Sequence, residues 1–600
     1  MSVEGMAVKV SLLFPPTWHP SQPYLSLPSL TGFLVQGGVR DVSQRDIGIE
    51  MLDAVLSRDY AAALYPKLID KVKRLERQRT GETGPGSAEH YSRLVESLDR
   101  FPYLIDAIEP AKASLRSDEF YDLERYRESL FLIDRWLELL STLYFPTRLT
   151  VVDNQFSTYS IYSSRDLMKA IRDEEQNPYI DLFREQFLPS ILKDQPDLVG
   201  VSITATSQVV PGLTLCRLIK EANPNLHLTI GGSIFTRLVD NLRRCPSLFD
   251  LTDDFVVFEG ETALLELINQ LTGKRDYSKV PNLIYRQNGR IVVNQPFYSE
   301  NINALPAPNY DGFPLDKYLS PATVLPVQFS RGCYYKDCAF CALTLDHQNF
   351  RQKDPSKTVE ELEDLSKRYQ TPFFFFTDEC FALSPTKRLC QQLIDRQLNL
   401  SWTCEMRFEK NLSRELLGMM RDAGCLKIVF GLESFNQRVM DFMKKGISQA
   451  SVRRVVDDCL DLGIAIHCYV IAGFPTETEE EALETMNFIV QHERLQQSYG
   501  FSCQPCLFDL EKEAPIMSDP GSYGIQRIMR PASEDLSLGF FYEVKEGMTP
   551  EQAERVYQHI YGKISDVVCE LPFNYSMADG LLYIARAQAQ AKQIPAPASS

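Results

Sequence analysis

Residues 324–341 read VLPVQFSRGCYYKDCAFC, an apolar run that opens into a loop carrying three thiols, Cys333, Cys338 and Cys341. The run Val324–Ser330 has the length and composition of a buried strand. Further strand signals follow at Phe373–Phe376, Ser401–Met406, Leu426–Phe430 and Ile464–Ile471, each preceded by a helical pattern. This alternation over residues 321–540 predicts a partial or full βα barrel of the TIM type, with its site at the C-terminal ends of the strands. The three thiols stand at one such end. Helix starts are expected at two capping boxes, Thr358-x-x-Glu361 and Thr478-x-x-Glu481. Phe501–Leu507 reads as another strand, where a spacing of three puts Cys503 and Cys506 on opposite faces.

Toward the N-terminus, residues 7–14 (AVKVSLLF) form an apolar, β-branched run stopped by Pro15-Pro16. A helix begins near Leu25, and alternation returns from Asp41 to Ile49. Strand signals resume at Leu198–Thr204, Leu226–Ile230 and Phe255–Phe258, again with helices between them. Strands alternating with helices predict a doubly wound parallel sheet over residues 1–52 and 191–275, with ligands at the carboxyl ends of its strands. Those ends carry Ser202, Thr204, Gln208, the pair Gly231-Gly232, and Glu259-Gly260. The glycines are expected to let a ligand approach bare backbone. Between the two halves of this domain, residues 53–190 turn to helical periodicity, for example Leu130, Ile133, Trp136, Leu137 and Leu140. They read as a helical insertion with a mobile Gly/Ser-rich loop at 81–90. Residues 276–320 read as a linker with a hairpin at Gln287-Asn-Gly289, and 541–600 as a small C-terminal helical segment with a disordered tail.

Composition narrows the function classes. The 63 basic and 80 acidic residues leave a net charge of -17, which argues against nucleic acid as a partner. Hydrophobic residues at 44% and charged residues at 24% are ordinary globular usage. Fourteen Cys in 600 residues is far below a disulfide scaffold, so a reducing compartment fits. With no long apolar run, the chain reads as cytoplasmic and without a membrane span.

Three thiolates on a nine-residue loop can hold a metal or an iron-sulfur cluster. Zinc needs a fourth protein ligand, and the nearest candidate, His347, lacks the usual partner spacing. A metal-free Cys-rich loop is the blander reading, at odds with the oxidation liability of thiols this dense. A 4Fe-4S cluster on three Cys would leave one iron open for a substrate.

With its three-Cys loop after the first barrel strand and the aromatic Phe340 before the last Cys, the chain resembles the radical S-adenosylmethionine (SAM) superfamily over about residues 321–540. The first Cys gap encloses four residues here instead of the family's usual three. The resemblance implies that Cys333, Cys338 and Cys341 hold a 4Fe-4S cluster, and that the SAM-binding segments follow successive strands. Those segments are Asp378-Glu379 beside the SAM amino group, Arg407, Glu433-Ser434 at the ribose or methionyl part, and the Gly473-Phe-Pro turn on the adenine side. Phe340 adjoins the same site. Cys380 and Cys404 flank it as candidate proton or hydrogen donors, or as small buried residues.

The sheet placed before such a barrel resembles the cobalamin-binding domain of the cobalamin-dependent branch, with Ser202, Thr204, Gln208, Gly231, Gly232, Glu259 and Gly260 as implied contacts. No Asp-x-His-x-x-Gly loop occurs, because the second strand reaches Asp46-Ile-Gly48 without a His. Cobalamin is therefore expected with its own base displaced and no His on cobalt, His19 being the alternative axial ligand. The implied function is a methyltransferase. The cluster, reduced by an external donor such as flavodoxin or ferredoxin, cleaves SAM to a 5'-deoxyadenosyl radical. Methylcobalamin then delivers a methyl group to an unactivated carbon of a small-molecule or peptide substrate. A cyclase or ring-rearranging enzyme with the same cofactors is the rival, and a non-catalytic cobalamin sensor or carrier the rival of another class.

Overall fold

The computed structural model describes residues 6–78, 85–342, 349–496, 501–568 and 577–593. The chain divides into two compact units. The first comprises residues 1–300, 305–321 and 532–537; the second comprises 301–304, 322–531 and 538–600.

The first unit is built on a seven-stranded sheet. Its strands are β1 (Met6–Phe14), β2 (Val39–Asp46), β3 (Leu198–Ser202), β4 (His227–Gly231), β5 (Asp254–Val256), β6 (Leu283–Gln287) and β7 (Arg290–Val293). The spatial order is β2-β1-β3-β4-β5-β6-β7, parallel through β5. This is a doubly wound order whose topological switch point lies between β1 and β3, where the connections leave in opposite directions and a crevice opens. Every residue of β3 is buried, as a central strand covered on both faces requires. The hairpin expected at Gln287-Asn-Gly289 is present. Its strands β6 and β7 join the sheet antiparallel, so residues read as linker extend the domain instead.

The expected helical block contains long helices Arg58–Gln78, Pro85–Leu115 and Leu123–Ser141. Leu130, Ile133, Trp136, Leu137 and Leu140 are all buried, and the Trp136 indole donates to Val55 O at 2.8 Å. Residues 81–84 of the Gly/Ser-rich patch lie outside the described residues. Its remainder is helix, because Pro85 suits a first helical position where no N–H bond is required.

Gly232 has a different role from the one its sequence suggests. Its φ is +119°, and a Cβ there would run into the Ile203 carbonyl, so the space beside it is filled by the neighbouring strand end and not kept for a ligand. A Cβ on Gly231 would meet only Val256 O, at 3.4 Å.

In the second unit, β8 (Val324–Val327), β9 (Phe373–Phe376), β10 (Ser401–Met406), β11 (Cys425–Glu433), β12 (Ala465–Ala472) and β13 (Ser502–Leu507) form a parallel sheet in sequence order, a partial βα barrel. The register separates two faces. Cys404, Met406, Ile428, Phe430, Ile466, Cys468 and Cys503 share one, and all are buried. Thr403, Glu405, Lys427, Gly431, His467, Tyr469, Ser502, Gln504 and Cys506 share the other, which is polar. Hydrogen bonds that skip a strand, such as Lys427 Nζ to Ser502 Oγ at 3.0 Å, mark the polar face as the concave one. Cys503 is buried and Cys506 exposed, as their spacing requires.

The box at Thr478-x-x-Glu481 caps its helix as read, with Glu481 N bonded to Thr478 Oγ1. The one at Thr358 does not. That helix starts at Pro355 behind Asp354, whose carboxylate takes Ser356 N at 2.8 Å, and the Asp-Pro step sets the start one turn earlier. Short strands β14 (Leu510–Glu511), β15 (Ile525–Met529) and β16 (Gly539–Val544) form an antiparallel sheet that starts inside the span read as barrel and runs past its end at 540. Two helices, Pro550–Val568 and Met577–Gln593, follow where one was expected, and the tail from 594 lies outside the described residues. Among the described residues no helix is long and apolar enough to cross a membrane.

The contrast between adjacent glycines is testable by thermal denaturation. Gly232→Ala should cost about 3 kcal/mol through backbone strain and the clash with Ile203, whereas Gly231→Ala should cost about 1 kcal/mol or less. Equal midpoints for the two variants would contradict this packing.

Candidate functional site

The loop after β8 is held from several sides. Asp378, one residue beyond Thr377 at the end of β9, is buried and accepts from Phe329 N at 2.9 Å, from Ser330 Oγ at 2.6 Å and from Ser330 N. Burial pushes its carboxyl up to about 7, against these bonds. The neighbouring Glu379 takes Gly332 N at 3.0 Å. Asp378 thus fixes the start of the thiol loop, and Glu379 is the carboxylate of the pair that stands partly open.

The thiols follow. Hydrogen bonding from Cys380, helped by the backbone N–H groups of Tyr335 and Lys336, brings Cys333 down to about 6 despite burial. Cys380 itself is buried behind it, with its thiol pushed up. Burial raises the Cys338 thiol, with Lys445 and Arg407 acting against it. Cys341 N closes a turn onto Cys338 O at 3.2 Å. Among the described residues no group of three or more His, Cys, Asp or Glu gathers to hold a single metal ion. An iron-sulfur cluster gives each thiol its own iron, so its ligands need not converge on a point. Three partly exposed thiols flanked by two cations fit that donor set; His347 lies outside the described residues.

Arg407, just past β10, is 6% exposed. Its guanidinium stacks on the Tyr335 ring at 3.4 Å, places Nη1 3.8 Å from Cys338 Sγ and donates through Nη2 to Lys445 O. Glu433 ends β11 with φ +60° at a register shift, and its Oε1 accepts from Lys445 Nζ at 2.8 Å. Burial opposes the Lys445 charge, but Glu433 and the Cys338 sulfur together outweigh it and hold its ammonium group above the ordinary lysine range. Gly431 keeps this pair possible, since a Cβ there would stand 2.6 Å from both Oε1 and Nζ. Lys445 also lies over the Phe340 ring at 5.6 Å.

The other expected contacts serve the scaffold. Ser434 is fully buried and meets Thr485 Oγ1 at 3.3 Å. Gly473 has φ +84°; its N–H goes to Glu477 Oε2 at 2.7 Å, and a Cβ there would collide with Ala553. Cys404 is buried on the apolar face. Residues missed in the sequence are Lys445, Glu477 and the pair Glu405–Tyr469, bonded at 3.4 Å on the concave face. Burial and the Glu379 charge hold the Glu405 carboxyl up to about 8. A Glu on a strand next to apolar neighbours was the one signal that could have found it.

In the first unit the expected polar cobalamin contacts are bonded within the unit. Ser202 donates to Ser26 Oγ at 3.0 Å, and Gln208 Oε1 accepts from Thr204 N, Thr204 Oγ1 and Ala205 N, while its Nε2 donates to Pro15 O at 2.8 Å. Glu259 accepts from Glu300 N, and Gly260 caps the helix Glu261–Thr272. The loop after β1 behaves differently. Trp18 Nε1, Ser21 Oγ and Gln22 Oε1 are buried there without a hydrogen-bond partner among the described residues, at the switch point where this topology binds ligands. Such unmatched donors and acceptors fit the amide-rich rim of a corrin. His19 stands in the same loop, edge-on to Trp18.

Residues 327–489 match the model of the radical SAM superfamily. The chain is 30% identical over 333 residues to an uncharacterized methyltransferase of Pyrococcus horikoshii, covering 54% of this chain and 71% of the relative. It is 28% identical to the anaerobic magnesium-protoporphyrin IX monomethyl ester cyclase of Rubrivivax gelatinosus, covering 51% of this chain but only 56% of that relative. Its fold is similar to that of TsrM from Kitasatospora setae, a radical S-adenosylmethionine methyltransferase solved with cobalamin and a [4Fe-4S] cluster bound. There the TM-score is 0.56 at 15% identity, over 98% of this chain and all of the other.

The Asp378 anchor predicts that Asp378→Asn, which turns an N–H donor toward backbone donors, costs about 2 kcal/mol or more. The melting midpoint of the second unit should fall by about 4–8 °C. An unchanged midpoint would show that this carboxylate does not fix the loop.

Proposed function

The chain belongs to the radical SAM superfamily and has the architecture of its cobalamin-dependent members; from that premise we propose that it is a methyltransferase placing a SAM-derived methyl group on an unactivated carbon. The observation that carries this reading is the three-thiol loop at the open end of a parallel βα sheet, on a chain whose other unit is a doubly wound sheet with buried, unmatched polar atoms at its switch point. When bound, the cluster supplies the electron that cleaves SAM and cobalamin carries the methyl group. The protein's share is to bind, orient and exclude water.

Cys333, Cys338 and Cys341 are the cluster ligands in this reading. Glu379 receives the SAM amino group, and Glu433, held by Lys445 through one oxygen only, offers the other to the ribose or methionyl part. Asp378, Ser434 and Gly473 support these groups through the bonds described above. Trp18, Ser21 and Gln22 would hold the corrin rim, and Gly231 would leave room for the nucleotide tail. The substrate is a small molecule or peptide, and a flavodoxin- or ferredoxin-like protein supplies electrons. Similarity to the anaerobic cyclase favours a second reading, ring formation with the same cofactors and no net methyl transfer.

Reconstituted enzyme incubated with methyl-labelled SAM separates the two. Label in the product supports methyl transfer, whereas 5'-deoxyadenosine with an unlabelled cyclised product supports the cyclase. Cys333→Ala, Cys338→Ala and Cys341→Ala should each abolish iron uptake. Glu433→Gln should retain iron and lower SAM cleavage by about 100-fold through lost orientation. Normal cleavage in that variant would remove Glu433 from the site.

A further inference from the structure

The family resemblance places Arg407 against SAM, but its surroundings assign it elsewhere. It is fixed by groups on three sides. One face lies on the Tyr335 ring at 3.4 Å, Nη2 donates to Lys445 O, and Nε faces Glu409 Oε1 at 3.4 Å. Glu409 is itself held by Tyr334 Oη at 2.6 Å. Nη1 is left facing Cys338 Sγ at 3.8 Å. Tyr334 and Tyr335 belong to the thiol loop itself, so the loop grips the cation that touches its own middle Cys.

We propose that Arg407 sets the reduction potential of the cluster through the Cys338 sulfur. The proposal rests on the assignment of Cys338 as a cluster ligand. Taking up one electron adds one negative charge to the cluster and its thiolates. A fixed cation in N–H···S contact stabilises that state more than the oxidised one and moves the potential upward. Burial keeps water from screening the effect. Of the nearby carboxylates, Glu409 meets the guanidinium at Nε and not at Nη1, and Glu433 is paired with Lys445. Arg407 therefore acts as a positioning and tuning residue, with its positive edge toward the sulfur.

The test is potentiometric titration of the full chain, reconstituted anaerobically and followed by electron paramagnetic resonance of the reduced cluster, with iron and sulfide counted. Arg407→Gln should keep the cluster and shift the midpoint negative by about 59 mV or more, a tenfold lower ratio of reduced to oxidised cluster at a fixed donor potential. Arg407→Lys, which keeps the charge without the fork, should shift less. An unchanged midpoint in Arg407→Gln with its cluster intact overturns the proposal. So does a tenfold loss of SAM affinity without a potential shift, which would make Arg407 a SAM ligand. If Arg407→Gln fails to load iron, Tyr335→Leu decides. It frees the guanidinium from its stack, so a negative shift supports the proposal and no shift overturns it. A wild-type chain that takes up no iron-sulfur cluster overturns the ligand assignment, and the tuning role with it.

Discussion

One buried carboxylate holds the second unit's chemistry in place. Beyond β8 the thiol loop has only a two-residue pairing, Ser330–Arg331 against Arg351–Gln352, to satisfy its backbone, and an unpaired buried N–H is costly. Asp378 meets that need by reaching across from the adjacent strand to Phe329 and Ser330. It can do so because β8 and β9 pair in register through Val327 and Phe376, which puts the end of β9 beside the first turn of the loop. Later points of the loop are tied to the segments beyond β11 and β13, through Ala339 N to Met443 O and Ile516 N to Ala339 O. The loop is thus a product of the sheet's register, and the thiols inherit their positions from it.

The sequence was most legible where a local pattern has a single reading. β9 and β10 fall on the residues read, Phe373–Phe376 and Ser401–Met406, the first as an apolar run and the second as an alternation of Trp402, Cys404 and Met406 with polar residues. The thiol loop was readable from composition alone. Lys445 was not. In the sequence it is half of a Lys-Lys pair after a short helix, the mark of a solvated surface, and only the approach of Glu433 and Phe340 buries it. Glu405 and Tyr469 lie 64 residues apart and meet only because the sheet curves. The strands β14 and β15 are too short or too mixed for a period of two to show.

In the first unit most of the polar residues expected at the strand ends are already bonded within the unit. Hydroxyls and glycines at strand ends look available to a ligand, yet Thr204 and Gln208 bind each other and Gly232 makes room for Ile203. A polar residue in a well-packed loop is more easily satisfied by its neighbours than kept in reserve. The reserve lies in the loop after β1, which reads as aromatic and proline-rich and whose Trp18, Ser21 and Gln22 keep polar atoms unmatched. Buried atoms of this kind carry a desolvation cost that a binding partner can relieve.

The concave face of the second unit has the same logic in electrostatic form. Glu405 meets the charges of both Glu379 and Glu433 near the open ends of their strands, and Glu433 is paired with Lys445. Burial and the charge of Glu379 hold the Glu405 carboxyl up to about 8, so near neutral pH it is mostly protonated. A cation entering this space would favour its ionised form and lower that value. SAM, with an ammonium and a sulfonium, has the charge that an acidic concavity of this kind accommodates. An anionic ligand would keep Glu405 protonated and meet repulsion from its neighbours. A cationic ligand and the ionised form of Glu405 therefore favour one another.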